Sequence, residues 1–210
     1  MKVIQPQVYI ESDISEKDAI MLIERAGRVC YKSENKIKRD SAETFIRGIL
    51  KRGHESVIEH VSVTVRVICD RGVSHEIVRH RIASYSQEST RYCNYADDKF
   101  GNEITVIMPC FFNDVESDSY MYYVWYNTCK LAEDAYNVLI SRGASPQEAR
   151  SILPNSLKTE MFITMNLREW RHFFRLRCSP AAHPQMRQIA NMILNQFKQT
   201  FPLFVEDIEV

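Results

Sequence analysis

Apolar and polar positions alternate over residues 61–70. Val61, Val63, Val65 and Val67 fall on one side and Ser62, Thr64, Arg66 and Ile68 on the other, which predicts a strand with one buried face. Most of the remaining pattern is helical. Ser15-Glu16-Lys17-Asp18 opens a helix through Ile20, Leu22, Ile23 and Ala26 to near Cys30. Ser41-Ala42-Glu43-Thr44 opens another, with Phe45, Ile46, Ile49 and Leu50 inward and Gly53 as its stop. The pattern predicts a short helix over 73–78. Its longest helix covers 116–142, with Tyr122, Val124, Trp125, Cys129, Leu131, Ala132, Ala135, Tyr136 and Leu139 inward and Gly143 at the end. Ser145-Pro146-Gln147-Glu148 caps a short successor that carries Arg150. Val3, Ile4, Val8 and Ile10 predict a first strand over 1–12. Asp70-Arg71-Gly72 reads as a turn, and 92–109 as a strand broken by Asp97-Asp98-Lys99 and Gly101. A strand over 159–165 hands over to a helix at Asn166, where Glu169 three places on approaches a capping box.

Polar residues interrupt this pattern in three places. On the helix after Asn166, Leu167, Trp170, Phe173 and Phe174 form the apolar arc, and Arg168, Arg171, His172 and Arg175 face solvent, a second subunit or a ligand. Arg177 falls between Trp170 and Phe173, on the apolar side. A guanidinium cannot shed its proton, so an arginine there needs an anion or a carbonyl, unless the helix stops at Arg175 and Arg177 turns outward. Continuing the 73–78 helix places His80 and Arg81 beside Val73 and Ile77, toward the interior. The stretch 79–92 itself, RHRIASYSQESTRY, suits neither a core helix nor a core strand. Its arginine forks, hydroxyls and loop amides fit a phosphate or carboxylate, the alternative being a solvated basic turn.

The 210 residues carry 27 Lys+Arg against 27 Asp+Glu, so no basic excess marks a nucleic-acid surface; the concentrated arginines point to a small anionic ligand. The length suits one domain, 1–210. Six cysteines lie far apart with no Cys-x-x-Cys and no signal peptide, which reads as reduced thiols in a cytoplasmic protein, and no apolar run is long enough for a membrane span. His54, Glu55, Glu59 and His60 lack metal-ligand spacing, so no metal is expected there. Pro109-Cys110 has no basic neighbour to activate a thiol, and Cys110 reads as a packed core residue.

The spacing Arg79-His80-Arg81, Ser84, Ser89, Arg91 resembles the signature of the flavin-dependent thymidylate synthases at six fixed positions. Gly53-His54-Glu55-Ser56, Asn166-x-Arg168 with Arg177 nine residues further on, and the 178–185 loop are similar to further family segments. The resemblance implies an α+β, ThyX-like fold, a mixed β-sheet flanked by helices, in a homotetramer with active sites shared between subunits. It implies reductive methylation of dUMP to dTMP, with 5,10-methylenetetrahydrofolate as carbon donor, FAD as cofactor and NADPH as reductant. Cofactor contacts carried over are Ser56, Glu59, Arg79, His80, Arg81, Ile82, Gln87, Asn166, Arg168 and His172. Substrate contacts are Glu76, Arg79, Gln87, Glu88, Ser89, Thr90, Arg91, Arg150 and Arg177, and Arg177 is also the residue that activates the uracil ring. His54 is a candidate for the reducing or folate side. The chain departs from the commoner pattern at Cys30, Glu76, Gln87-Glu88 and His172. Two other readings stay open: a flavoprotein of the same fold acting on another nucleotide, and an RNA-binding module using Arg and Tyr.

Overall fold

A computed structural model describes residues 1–112 and 119–209. The strands are β1 (Lys2–Ile4), β2 (Gln7–Ile10), β3 (Ser62–Asp70), β4 (Ser84–Gln87), β5 (Thr105–Ile107) and β6 (Lys158–Asn166). The helices are α1 (Glu16–Val29), α2 (Ser41–Lys51), α3 (Arg71–Ile77), α4 (Tyr120–Ser141), α5 (Pro146–Ala149), α6 (Leu167–Arg177) and α7 (Pro184–Thr200). β1 pairs in parallel with β5, and a four-stranded sheet has the order β2-β3-β6-β4. The architecture is α+β, with the sheets flanked by helices.

The chain forms two compact units. One comprises Met1–Gln7, Val67–Arg79 and Ser86–Met161; the other comprises Val8–Arg66, His80–Tyr85 and Phe162–Val210. In the first unit, Tyr95, Ile104, Val106, Cys129, Tyr136, Ala149 and Leu157 form a buried cluster, with Trp125 packed against it. Trp125 Nε1 donates to Ser156 Oγ at 3.0 Å. The α4 stripe is narrower than its sequence predicts. Cys129 and Tyr136 are buried, but Val124, Leu131, Ala135 and Leu139 are exposed, while Glu133 is buried. The Glu133 carboxylate accepts from Ile104 N–H at 2.9 Å and from Lys130, and those hydrogen bonds carry the charged group into the interior. Residues 116–118 of the predicted helix lie outside the described residues.

In the second unit, Trp170, Phe173 and Phe174 on α6 meet Phe197 on α7, with Trp170–Phe197 and Phe174–Phe197 ring centroids 5.3 and 5.1 Å apart. Burying each such side chain contributes roughly 1.5–3 kcal/mol. Trp170 Nε1 donates to Val63 C=O at 2.9 Å and Leu167 N–H to Val61 C=O at 2.9 Å, which fixes the start of α6 against β3. The cap read at Asn166 is present: its Oδ1 accepts Glu169 N–H at 2.9 Å.

Four local expectations change. The 1–12 segment is two short strands rather than one, with Pro6 between them. Asp70 is not in a turn but N-caps α3, its carboxylate accepting Val73 N–H at 2.7 Å. Only 105–107 of the 92–109 stretch is a strand. Cys110 lies in a 3-10 turn and is half-buried rather than a core residue.

Candidate functional site

In the first unit, Ser89, Thr90 and Arg91 form a turn in which Tyr92 N–H and Cys93 N–H donate to the Ser89 carbonyl. Arg91 N–H donates to Ser89 Oγ at 3.3 Å, and the exposed Arg91 guanidinium lies 5.4 Å from the Tyr92 ring centroid. Arg150, at the C-terminal cap of α5, donates from Nη1 to Thr90 Oγ1 at 3.4 Å. Residues 60 apart in sequence thus bring the Arg150 guanidinium onto the Thr90 hydroxyl, in the turn that carries Ser89 and Arg91, donor types suited to an anion. Just before Ser89 in the chain, the Glu88 carboxylate accepts from Tyr95 Oη at 2.9 Å and Lys158 Nζ at 2.7 Å. Gln87 Nε2 donates to Ser74 Oγ and Thr159 Oγ1, so its amide belongs to the internal hydrogen-bond network of this unit. Arg79 is exposed and Glu76 half-buried, with Arg79 N–H donating to the Glu76 carbonyl. The stretch 79–92 also holds β4, a short strand with partly exposed residues that its composition did not predict.

Two cavities of the second unit are lined by residues carried over for the flavin. The larger, about 860 Å³, is lined by Arg28, Cys30, Tyr31, Lys36, Phe45, Ile49, Arg52, His54, Ser56, Val57 and Arg168 among others. The smaller, about 470 Å³, is lined by Glu55, Glu59, Ile82, Asn166, Arg168, Glu169, His172 and Arg175. Six residues carried over for the flavin, Ser56, Glu59, Ile82, Asn166, Arg168 and His172, therefore line one or both. The larger cavity falls in the range of small-molecule sites. It offers aromatic and aliphatic walls for a ring system and four cationic side chains for a pyrophosphate, so the residues fit an FAD-sized dianion. Gly27 also lines it, packed so closely on Phe45 that a Cβ there would lie 2.5 Å from Phe45 Cζ. Arg168 Nη1 meets Glu59 Oε1 at 2.5 Å.

His80 is buried, its ring tilted against Phe173 with centroids 4.9 Å apart, and its Nδ1 lies 3.1 Å from Glu169 Oε1. Arg177 Nε donates to His80 Nε2 at 3.0 Å. Burial holds the His80 imidazole below its ordinary pKa, and Arg177 and His172 act in the same direction against Glu169. Tyr85, whose hydroxyl is pushed up to about 12 by burial, donates to the His80 carbonyl at 2.5 Å.

The helix runs through Arg177, so that residue does not turn outward from a shorter helix. It is half-buried, and its Nε donates to an imidazole nitrogen, a partner the sequence reading did not foresee. Arg81 is exposed, because α3 ends at Ile77 and the wheel no longer applies there. Arg171 is the larger correction. It is buried: Nη1 and Nη2 grip Asp207 at 2.6 and 2.7 Å, Nη1 also meets the Phe204 carbonyl at 2.6 Å, and Nε meets Glu55 at 3.1 Å. Sequence reasoning also missed Glu169, whose partner His80 lies 89 positions away; its only sequence signal was the Asn166 capping pattern. Ligand atoms of His80, Glu169 and His172 lie within 4.8 Å of one another, a grouping the sequence spacing could not show. Both His80 nitrogens are already engaged, one of them by a cation, which disfavours a metal there.

Residues 14–203 match the family model described as Thymidylate synthase complementing protein. A flavin-dependent thymidylate synthase from Geobacter sulfurreducens is 35% identical over 189 residues, spanning 87% of this chain and 78% of that one. Another, from Pyrococcus furiosus, is 35% identical over 176 residues, spanning 83% and 70%. The crystal structure of a UMP/dUMP methylase from Streptomyces cacaoi bound with 5-Br dUMP shares the fold, with a TM-score of 0.78 at 22% identity over 98% of this chain and 96% of that one. The signature residues, the cavities and these matches agree, and the chain belongs to the flavin-dependent thymidylate synthase family of methyltransferases.

Proposed function

We propose that the protein converts dUMP to dTMP, taking the carbon from 5,10-methylenetetrahydrofolate and reducing equivalents from NADPH. Bound FAD supplies the one-carbon relay and the hydride chemistry. The match over 14–203 covers both units, which supports reading 1–210 as one catalytic domain. Ser89, Thr90, Arg91 and Arg150, with Glu76, Arg79, Gln87 and Glu88, hold dUMP, the arginines chiefly through its phosphate. Ser56, Glu59, His80, Arg81, Ile82, Asn166, Arg168 and His172 hold FAD, joined by Arg79 and Gln87, and His54 serves the folate or reducing side. No described helix is long and apolar enough to cross a membrane, and buried Cys69, Cys129 and Cys178 suit a reducing cytoplasm. Exposed Tyr120, Met121, Tyr123 and Leu131 on α4 support a homotetramer with active sites shared between subunits.

The observation that carries the mechanism is the placement of Arg177, half-buried at the last turn of α6 and seated on His80. Uracil C5 is a weak nucleophile. A fixed guanidinium beside O2, N3 and O4 stabilises negative charge that the ring delivers to C5, which activates it without a cysteine. Labelled one-carbon transfer from the folate to dUMP tests the reaction and separates it from a flavoprotein acting on another nucleotide. Arg177→Ala is expected to retain flavin absorbance and lose about 10²–10³-fold in kcat. Arg91→Ala is expected to raise the dUMP Kd about 10-fold or more. Normal turnover and normal dUMP affinity in both variants would overturn the assignment.

A further inference from the structure

We propose that Glu169 and His80 form a positioning relay for Arg177. The Glu169 carboxylate holds His80 as the neutral Nδ1–H tautomer, and the lone pair left on Nε2 seats the Arg177 Nε–H and so orients the guanidinium. The proposal rests on the reading that Arg177 engages the uracil ring.

Donor chemistry alone fixes the direction of this chain of bonds. A guanidinium only donates, so His80 Nε2, 3.0 Å from Arg177 Nε, must accept and carries no proton. A neutral imidazole then bears its proton on Nδ1, which faces Glu169 Oε1 at 3.1 Å, where a carboxylate accepts it. The opposite tautomer would aim an N–H at an N–H and leave Nδ1, without a proton, facing a carboxylate.

Each member of the relay is itself held. Asn166 Oδ1 caps the Glu169 amide, Tyr85 Oη anchors the His80 carbonyl, and Phe173 packs against the ring at 4.9 Å. His80 and Glu169 are both buried, so little water competes for either bond. Arg177 has a long, flexible side chain, and seating Nε on a fixed ring removes much of that freedom before substrate arrives.

The relay also contains a proton switch. The groups facing the His80 ring are Glu169, His172 and Arg177 from α6, and Tyr85 from β4 faces its backbone. Protonating Nε2 would set an imidazolium N–H against the guanidinium 3.0 Å away and release Arg177. Burial lowers the His80 pKa, which keeps the neutral form populated at neutral pH.

The test combines ¹⁵N-imidazole NMR of the FAD-bound enzyme with steady-state kinetics. His80 is assigned among the six histidines by the resonance lost in His80→Gln. Wild type is expected to show a protonated Nδ1 and a bare Nε2 at neutral pH. Glu169→Gln retains an acceptor oxygen and is expected to keep that tautomer, with kcat within about 3-fold of wild type. Glu169→Ala is expected to lose the tautomer preference and up to about 10²-fold in kcat, the effect of misplacing a reacting group by about 1 Å, with the dUMP KM little changed. A protonated Nε2 in wild type overturns the relay, and that measurement stands even if Glu169→Ala does not fold. A folded Glu169→Ala enzyme with normal kcat, beside an inactive Arg177→Ala, overturns the relay and leaves the uracil reading intact. Normal turnover by Arg177→Ala overturns the uracil reading and the relay with it.

Discussion

Replacing Asp207 by alanine isolates the buried Arg171 guanidinium, and its cost follows from the contacts that remain. Arg171 is 1% exposed and makes two parallel hydrogen bonds to Asp207. Removing one partner of a buried pair costs about 3–5 kcal/mol. Here the Phe204 carbonyl and Glu55 stay in place, and the Asp207 side chain is 47% exposed, so water reaches the vacated position. The expected loss is therefore about 2–3 kcal/mol, or about 4–12 °C in Tm for a chain of this size. Urea or thermal unfolding followed by circular dichroism measures it. Glu206→Ala is the control. That carboxylate pairs with Arg47 at the surface, with both side chains about half-exposed and screened by water, and its loss is expected to leave the midpoint close to that of wild type. The pH dependence has a definite sign. The Arg171 hydrogen bond holds the Asp207 carboxyl below its ordinary range, so its stabilisation is present above the unfolded-state pKa, about 4, and is lost as pH falls through the lower folded value. The difference between Asp207→Ala and wild type should be full at neutral pH and shrink in acid. Equal midpoints for Asp207→Ala, Glu206→Ala and wild type at pH 7 would refute the reasoning.

Two further perturbations probe the two units separately. Gly27→Ala drives a methyl group to 2.5 Å from Phe45 Cζ, and that ring, which lines the larger cavity, must shift; we expect about 1–3 kcal/mol of destabilisation and weaker flavin retention, read by titrating FAD into the stripped protein. Glu88→Ala deprives the buried Tyr95 hydroxyl and Lys158 of their acceptor and should cost about 1–3 kcal/mol in thermal unfolding, whereas Glu88→Gln, which keeps an acceptor oxygen, should cost less.

What the sequence disclosed depended on how far each signal had to reach. The alternation at 61–67, the caps at Ser15, Ser145 and Asn166 and the stop at Gly53 are local, and the structure contains all of them. Arg177 was legible as an anomaly because its helix carried the apolar face up to it. Its partner was not, because His80 arrives from 97 positions away. Arg171 sat on a face that the helical wheel marked polar, and its burial comes from Phe204 and Asp207, contacts that leave no trace in the periodicity of its helix. Glu133 lies on the same side of α4 as Cys129 and Tyr136, and the Ile104 N–H that its carboxylate accepts is a long-range partner no helical pattern shows. The exposed apolar residues of α4 show the converse, a stripe wider than its own unit buries. Of the candidate site, the residue types and their grouping were readable, whereas the tautomer of His80 and the internal engagement of Gln87 required coordinates.

The chain has two tryptophans, and the units hold one each: Trp125 bonded to Ser156, Trp170 bonded to the Val63 carbonyl. Each indole is thereby a built-in fluorescent label for its own half of the polypeptide. Replacing Trp125 with phenylalanine leaves emission from the Trp170 half alone, so denaturation can be recorded half by half without attaching a dye. Whether the two halves melt together or in sequence then becomes a question for an ordinary fluorimeter.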